Sequence, residues 1–274
     1  MPEAVGRGFA SLFARSRAEG RLALLPYVMA GYPTVEATVE LLLALEAAGG
    51  DGFELGVPFS DPIADGPTVQ AASQVALRNG MTPRRATELL AEARRRGLRA
   101  PVALMGYLNP VFRYGIERYC QDAAAAGADG LIVPDAPPEE AGELERACRA
   151  RGLDLVQFVA PTSSPERIKL AARGARGFVY VVSLTGVTGA RAELAAGVDG
   201  LLERVRAATK TPVVVGFGIS RPEHLAHLRG RADGAIVASA LINRIEANRG
   251  APVEAGAAFL RELLAGAEKE PSRR

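Results

Sequence analysis

Four segments of this chain share one pattern: GGDGFEL (49–55), GADGLIV (127–133), GARGFVY (174–180) and RADGAIV (231–237). Each follows an Ala- or Leu-rich stretch, carries a glycine at or just before its start, and then enters a short apolar run. Glycine readily adopts the left-handed conformation that ends many helices. A short apolar run is typical of a parallel strand that is buried on both faces. The repeat therefore predicts helices that alternate with parallel strands.

Four further apolar runs lie before and between the repeated segments, at 23–29, 102–105, 153–159 and 213–217. Helix starts are indicated by Thr34, by Thr82 before a proline, and by Ser164 before a proline. Eight strand–helix units in a chain of this length favour a closed barrel. An open, doubly wound sheet is the alternative, but no GxGxxG sequence follows the first strand.

We therefore predict an α/β protein, a (β/α)8 TIM barrel with a short extra N-terminal helix. The spacing of Phe9, Leu12 and Phe13 predicts this first helix. No linker rich in proline or serine divides the chain, so residues 1–265 are predicted to form one domain. The sequence GAEKEPSRR at 266–274 predicts a disordered C-terminal tail.

The composition excludes several classes of protein. The 274 residues are 48% hydrophobic, which suffices for a large core, and the formal net charge of +2 does not suggest nucleic acid or an anionic membrane as a partner. No run approaches the ~18 apolar residues of a membrane span, and no signal sequence precedes the first helix, so a cytoplasmic location is expected. Cys120 and Cys148 have no CxxC spacing and are interpreted as packing residues.

In barrels of this type the active site lies at the C-terminal ends of the strands. The second predicted strand contains Glu54, and the proline-rich loop that follows it contains Asp65. Taken singly, Glu54 could be a structural ion-pair partner and Asp65 a turn former before Gly66. Taken together, they place two carboxylates at one barrel mouth, where differing environments can make one an acid and the other a base.

The loops after the last two strands, 216–220 and 237–240, supply small residues. These loops and a helix N-terminus form the usual phosphate site of such barrels. The loop at 184–191, rich in glycine and threonine, is predicted to be a mobile lid. His224 and His227 lie three residues apart without a third ligand nearby in the sequence, so no metal site is expected.

The run FELGVPFSDPIADGP (53–67) resembles the signature of tryptophan synthase alpha subunits. The resemblance covers nearly the whole chain in the expected order. It continues through PYVMAGYP (26–33), LMGYLNPVFRYG (104–115), GADGLIVPDAPPEE (127–140), YVVSLTGVTGAR (180–191), VGFGIS (215–220) and ADGAIVASALI (232–242).

The resemblance implies a retro-aldol cleavage of indole-3-glycerol phosphate to indole and glyceraldehyde 3-phosphate. It assigns Glu54 as the general acid–base that protonates C3 of the indole, and Asp65 as the carboxylate that handles the indole N–H. The resemblance also implies substrate binding by residues in three places. Around the indole it implies Tyr180 beside Glu54, together with Tyr107 and Phe217. In the closing loop it implies Thr188 and Gly189, and near the phosphate it implies Gly189, Gly218, Ala238 and Ser239. Ala238 stands where the family usually has glycine, so it fits comfortably only if its φ is negative.

The resemblance further implies a partner, a tryptophan synthase beta subunit that carries pyridoxal phosphate, in a heterotetramer of two alpha and two beta subunits (α2β2). The segments 58–61 and 109–112 are predicted to offer it an exposed, partly apolar surface. No cofactor is expected in this chain, since the reaction needs no Schiff-base lysine. Three alternatives stay open: a stand-alone lyase, a non-catalytic activator of a beta subunit, and a barrel that acts on a phosphoribosyl-type substrate. The last would leave the 53–67 segment unexplained.

Overall fold

Eight parallel strands form a closed barrel in which each strand pairs with its neighbours in chain order and the eighth pairs with the first. The computed structural model describes residues 8–182, 193–216 and 218–269, without the side chains of 193–197, 268 and 269. This closed order of eight parallel strands confirms the predicted (β/α)8 barrel. Its strands are β1 Ala23–Met29, β2 Phe53–Gly56, β3 Val102–Met105, β4 Gly130–Ile132, β5 Asp154–Val159, β6 Val179–Val182, β7 Val213–Gly216 and β8 Gly234–Val237.

The helices surround the barrel, and in the described part of the chain two connections between strands, β2 to β3 and β3 to β4, carry two helices each. In chain order they are α1 Phe9–Ala18, α2 Val35–Ala47, α3 Pro67–Arg78, α4 Pro83–Arg95, α5 Leu108–Tyr114, α6 Ile116–Ala125, α7 Gly142–Ala150, α8 Pro165–Gly174, α9 Glu193–Ala208, α10 Pro222–Leu228, α11 Ser239–Glu246 and α12 Pro252–Lys269. No helix in the described ranges is long and apolar enough to cross a membrane.

Helix α1 is the predicted extra helix, and it closes the N-terminal end of the barrel. Phe9 and Phe13 are buried, and both pack edge-on against Phe178, with ring centroids 5.3 and 5.9 Å apart. Gly130 and Gly234 begin their strands beside these two rings, and a Cβ at either would lie about 3.1–3.3 Å from a ring carbon. The rings of Phe9, Phe13 and Phe178, which we call the aromatic plug, pack with the small residues at the strand starts. Together they fill the end of the barrel opposite the expected active site.

Local signals set the helix starts as predicted. The Thr34 and Thr82 hydroxyls accept hydrogen bonds from the backbone N–H three residues later, at 3.3 and 3.2 Å, and Ser164 does the same at 3.2 Å. In α2 the side chains of Leu41, Leu42 and Leu45 are buried, as their spacing predicts.

The glycine of the repeat ends the preceding helix in three of the four segments. Gly49, Gly127 and Gly230 have φ values of 105°, 89° and 77°. The third segment differs, because α8 ends at Gly174 with Ala175 in an extended conformation, and the left-handed residue is Gly177, with φ 73°. In this segment the left-handed turn before β6 therefore comes three residues after the end of the helix, at Gly177.

The C-terminal end differs from the sequence prediction. Helix α12 continues to Lys269, so the predicted start of a disordered tail at 266 was too early. Tertiary contacts explain the difference: Ala267 is buried, and its carbonyl accepts a hydrogen bond from Arg229 at 2.8 Å. Residues 270–274 lie outside the described part of the chain.

The strand register decides which side chains face the barrel interior. Tyr27 of β1 lies opposite Glu54 of β2, which in turn lies opposite Ala103 of β3. Alternation along β2 directs Phe53 and Leu55 outwards to the helices and Glu54 inwards. A carboxyl group therefore stands inside the barrel near the C-terminal ends of the strands.

Candidate active site

A cavity of about 440 Å³ opens at the C-terminal ends of the strands. Glu54 and Asp65 lie on one side of it, and the small residues after β7 and β8 lie on the other. Its described lining consists of Tyr27, Glu54, Ala64, Asp65, Gly66, Val69, Met105, Pro134, Phe158, Ala160, Tyr180, Val182, Gly218, Ile219, Ser220, Ile236, Ala238, Ser239, Ala240 and Asn243.

Glu54 is a buried acid with an unsatisfied oxygen. Only 3% of its surface is exposed, and its Oε2 has no hydrogen-bond partner within the described protein. Burial and the nearby Asp65 carboxylate raise the pKa of Glu54 to about 8, against the opposing effect of a hydrogen bond with Tyr180. The group is thus mostly protonated at neutral pH and has a free oxygen in the cavity.

Asp65 is half-buried in the loop that follows β2, where its N–H donates to the Pro62 carbonyl at 3.1 Å. Burial raises the pKa of Asp65 to about 6, and a hydrogen bond with Tyr107 opposes this rise. At neutral pH this carboxyl group is therefore ionised while Glu54 is not. The two groups that the sequence placed at one barrel mouth do meet there, with different protonation states.

Tyr180 and Tyr107 take different positions around these carboxyl groups. Tyr180 lines the cavity beside Glu54, and its ring stacks on Phe158 with centroids 4.8 Å apart. Tyr107 contacts the loop that carries Asp65, where its hydroxyl accepts a hydrogen bond from the Ala64 N–H at 3.0 Å. The place in the indole pocket that the resemblance implies for Tyr107 stays a prediction.

Tyr27 and Phe158 line the cavity although the sequence analysis did not identify them. Both stand on strands with apolar neighbours, where an aromatic residue is more often part of the core. The strand register could have indicated Tyr27, since it lies opposite Glu54. Burial, followed by the charges of Asp65 and Glu54, raises the pKa of the Tyr27 hydroxyl, which therefore stays protonated as a hydrogen-bond donor.

The opposite wall combines a left-handed glycine with a helix N-terminus. Gly218 has φ 78°, a conformation in which most side chains would be strained. Helix α11 begins at Ser239, and no side chain caps its first N–H groups. Ala238 precedes it with φ −117°, so the substitution of the usual glycine by alanine causes no left-handed strain. This wall suits an anion.

Some predicted residues fall outside the described residues: Thr188, Gly189, Phe217 and the loop 184–191. The two histidines are described, and each contacts protein groups. His227 Nε2 lies 3.0 Å from Asp199, and His224 Nδ1 accepts a hydrogen bond from the Ser220 N–H at 3.2 Å. Within the described ranges no group of three or more His, Cys, Asp or Glu side chains is arranged to hold a metal ion.

The exposed apolar side chains near the C-terminal ends of the strands agree only in part with the contact surface predicted from segments 58–61 and 109–112. Ile63 is 82% exposed and Phe112 is 68% exposed. Pro58 and Val111, which lie in the segments predicted to form a contact surface, are buried instead. We call Ile63 and Phe112 the exposed apolar pair.

Comparison with known proteins agrees with this geometry. The family model described as tryptophan synthase alpha chain matches residues 13–267. A tryptophan synthase alpha chain from Roseiflexus sp. (strain RS-1) is 57% identical over 255 residues, which are 93% of this chain and 98% of that protein. A protein from Saccharomyces cerevisiae named tryptophan synthase is 44% identical over 258 residues, which are 93% of this chain but 36% of that protein.

Among solved structures, the tryptophan synthase alpha chain of Legionella pneumophila superposes with a TM-score of 0.87 at 36% identity, covering 96% of this chain and 98% of that one. The barrel, the two carboxyl groups in one cavity, and the match along almost the whole length lead to one assignment. This chain belongs to the tryptophan synthase alpha chain family.

Proposed function

We propose that Glu54 and Asp65 of this chain carry out the cleavage of indole-3-glycerol phosphate to indole and glyceraldehyde 3-phosphate. The observation that carries the proposal is the presence of a protonated and an ionised carboxyl group in one cavity, with pKa values raised to about 8 and about 6. Such a pair supplies an acid and an anion at the same pH.

The chemistry proceeds in two proton transfers. Glu54 donates its proton to C3 of the indole, which turns the ring into an electron sink, and Asp65 stabilises the positive charge that develops at the indole N–H. The C–C bond then breaks as the substrate hydroxyl loses its proton. Glu54, left as a carboxylate by the first step, is the group that can accept it.

The anion-binding wall supports a phosphorylated substrate. The Gly218 backbone is free of a side chain, and the first N–H groups of α11 at Ser239 face the cavity without a side-chain cap. A phosphate bound there would be held by backbone N–H groups and by the helix dipole. The indole would then lie toward Tyr180 and Glu54 on the other side.

An indole-release assay tests the proposal. Glu54→Gln keeps the shape of the side chain but cannot exchange a proton, so the rate should fall by about 10²–10⁴-fold or more. Asp65→Asn should be severely impaired as well, because an amide cannot neutralise the developing charge. Circular dichroism serves as the control for folding, and indole release within a few-fold of wild type from either variant would refute that residue's role.

The same proposal includes a partner, a beta subunit with pyridoxal phosphate in an α2β2 complex that receives the indole. Two observations support it. This chain matches only 36% of the yeast protein named tryptophan synthase, so that protein extends well beyond the region that resembles this chain. The exposed apolar pair also lies on the segments that follow the C-terminal ends of β2 and β3, where a neighbour could take the product directly. In this scheme the alpha chain itself needs no cofactor.

A further inference from the structure

The two cysteines of the chain, which the sequence analysis treated as packing residues, are in contact with each other. Cys120 lies on α6 and Cys148 on α7, 28 positions apart in the sequence, and their Sγ atoms are 3.8 Å apart. Both side chains are buried, and both are free thiols. A disulfide bond requires a separation of about 2.05 Å, so the sulfur atoms need to approach by less than 2 Å.

We propose that Cys120 and Cys148 form a redox-active pair that closes to an intramolecular disulfide and joins α6 to α7. The pair lies on the outer ring of helices and away from the cavity lining. Its chemistry is therefore separate from the lyase reaction.

The surroundings of the two sulfur atoms differ, which gives them different roles. The hydrogen bond with Cys148, in which either sulfur can be the donor, lowers the pKa of Cys120, and the nearby Arg151 adds to this effect against the opposing effect of burial. The pKa of Cys148 is raised, first by the same hydrogen bond and then by burial and negative neighbours such as Glu145. We assign Cys120 as the sulfur that reacts first with an oxidant, and Cys148 as the thiol that resolves the product.

A surface groove gives a small oxidant a path toward the pair. The groove has a volume of about 490 Å³ and runs between α6 and α7. Two residues of its lining are close to the cysteines in sequence: Glu117 lies three positions before Cys120, and Ala147 directly precedes Cys148. The cysteines do not line the groove and are 0% and 1% exposed, so an oxidant must pass between packed side chains to reach them, which suits hydrogen peroxide better than a bulky disulfide reagent.

The oxidation balances with hydrogen peroxide as the oxidant. The Cys120 thiolate attacks one peroxide oxygen, the O–O bond breaks, and hydroxide leaves and takes a proton, so that a sulfenic acid and water result. The Cys148 sulfur then attacks the sulfenic sulfur, the S–O bond breaks, and the departing hydroxide takes the Cys148 proton as a second water. In total, two thiols and one peroxide give one disulfide and two waters.

The natural cleavage sites around the cysteines make the disulfide easy to detect. Arg118, Arg146 and Arg149 are trypsin sites, so digestion separates the peptide 119–146 with Cys120 from the tripeptide 147–149 with Cys148. We would treat the folded full chain with peroxide and then block the remaining thiols before digestion without a reductant. We expect the intact protein to lose the mass of two hydrogen atoms, and the two peptides to appear joined until dithiothreitol separates them.

Thermal unfolding gives a second measurement. A cross-link over 28 positions restricts the unfolded chain, so the Tm of the oxidised protein should rise by about 5 °C or more and return on reduction. Cys120→Ser and Cys148→Ser are the matched controls, and neither should show the joined peptides or the reversible rise. Indole release should be unaffected in either redox state, because both residues lie outside the cavity.

Three results would overturn the proposal. The first is peroxide-treated folded protein that keeps both thiols, while the same protein in denaturant forms the joined peptides. The second is oxygen added to one cysteine without a cross-link. The third is a disulfide between two chains in place of the bond within one chain. The denatured sample confirms that the digestion and the detection work, so a negative result with the folded protein is informative.

Discussion

At the residue scale, the unusual feature of this molecule is a carboxyl group inside a barrel of apolar side chains. An ionised carboxylate at the position of Glu54 is disfavoured because burial removes its hydration and Asp65 stands nearby. The fold accepts the residue by keeping it protonated, and this protonated state is the one that a general acid requires. The burial that disfavours the ionised form of Glu54 thus also keeps the side chain in the protonated form that can donate a proton.

The raised pKa of Glu54 predicts how stability depends on pH. The folded state holds this proton up to about pH 8, whereas the unfolded chain releases it near 4.5. The stabilisation is therefore complete below about pH 4.5 and is lost as the pH rises towards 8. Glu54→Gln cannot ionise, so its stability relative to wild type should grow by a few kcal/mol between pH 5 and 9, since one pKa unit corresponds to about 1.4 kcal/mol.

Urea titrations of both proteins across this range measure the effect. The Asp65→Asn variant is the comparison, because the pKa of Asp65 is raised only to about 6. The difference in free energy of unfolding between this variant and wild type should therefore level off at a lower pH than the difference for Glu54→Gln. A stability difference between Glu54→Gln and wild type that stays constant with pH would show that Glu54 is not a protonated, buried acid.

Gly216 predicts a second effect of a single residue. A Cβ at this position would overlap the hydroxyl and ring of Tyr180, which is buried and stacked on Phe158. In Gly216→Ala the ring must therefore move towards the cavity, and we expect indole release to fall about tenfold or more and stability to fall by about 1–3 kcal/mol. The control is Gly200→Ala in α9, where no atom lies within 4 Å of the added Cβ.

The control should keep full activity and gain up to about 1 kcal/mol, because alanine favours a helix interior over glycine. Rates and thermal midpoints of the two variants, measured side by side, check both statements. If Gly216→Ala has wild-type activity, Tyr180 does not depend on the space that Gly216 leaves.

At the element scale, connections at the N-terminal face hold the strands in place. Arg94 at the end of α4 donates hydrogen bonds to the carbonyls of Gly127, Leu98 and Ala100, and it forms a 2.8 Å ion pair with Asp129. Only 11% of the Arg94 side chain and 7% of the Asp129 side chain are exposed. One guanidinium group therefore fixes the start of β3 and the approach to β4.

Arg94→Lys keeps the charge but loses the planar set of donors, so carbonyl groups at this face lose partners. We expect a loss of about 2 kcal/mol or more in the free energy of unfolding. The neighbouring Arg95 is 68% exposed and pairs with Glu92, so Arg95→Lys should change stability by about 0.5 kcal/mol or less. Equal effects of the two substitutions in chemical denaturation would contradict the role assigned to Arg94.

At the scale of the whole molecule, stability and chemistry occupy opposite ends of the barrel. The aromatic plug of α1 and the Arg94 connections lie at the N-terminal face, while the carboxyl groups and the anion-binding wall lie at the C-terminal face. The exposed apolar pair lies at the C-terminal face too. A partner that binds there can meet the product without disturbing the elements that close the barrel.

This arrangement predicts that the partner can be removed without loss of the fold. Phe112→Asp places a charge where an apolar contact is proposed, so the affinity for a cognate beta subunit should fall about 30-fold or more. Leu170→Asp is the matched control, since Leu170 is 38% exposed on α8, outside the cavity lining and the exposed apolar pair. Analytical gel filtration and titration calorimetry measure the affinities. Indole release by the isolated chains should be the same for both variants, and an unchanged affinity of Phe112→Asp would place the interface elsewhere.

The sequence by itself determined the order of the strands, most helix starts and the residues able to do chemistry. The predicted bounds of β1 and β3 agree with the structure, and Thr34, Thr82 and Ser164 cap their helices as predicted. These features are local. Apolar runs, hydroxyl caps and turn-forming glycines act within a few residues of themselves, so a single chain shows them directly.

The tertiary structure decided which of these groups meet. Closure of the barrel brings Glu54 from β2 next to Tyr180 from β6, and it sets the protonation of Glu54 and Asp65 by burying them in one cavity. Packing also placed Tyr107 against the loop that carries Asp65, carried α12 to Lys269, and brought Cys120 into contact with Cys148. Local patterns could not predict these results, because burial, pKa values and contacts over long sequence distances depend on the surroundings that the whole fold creates.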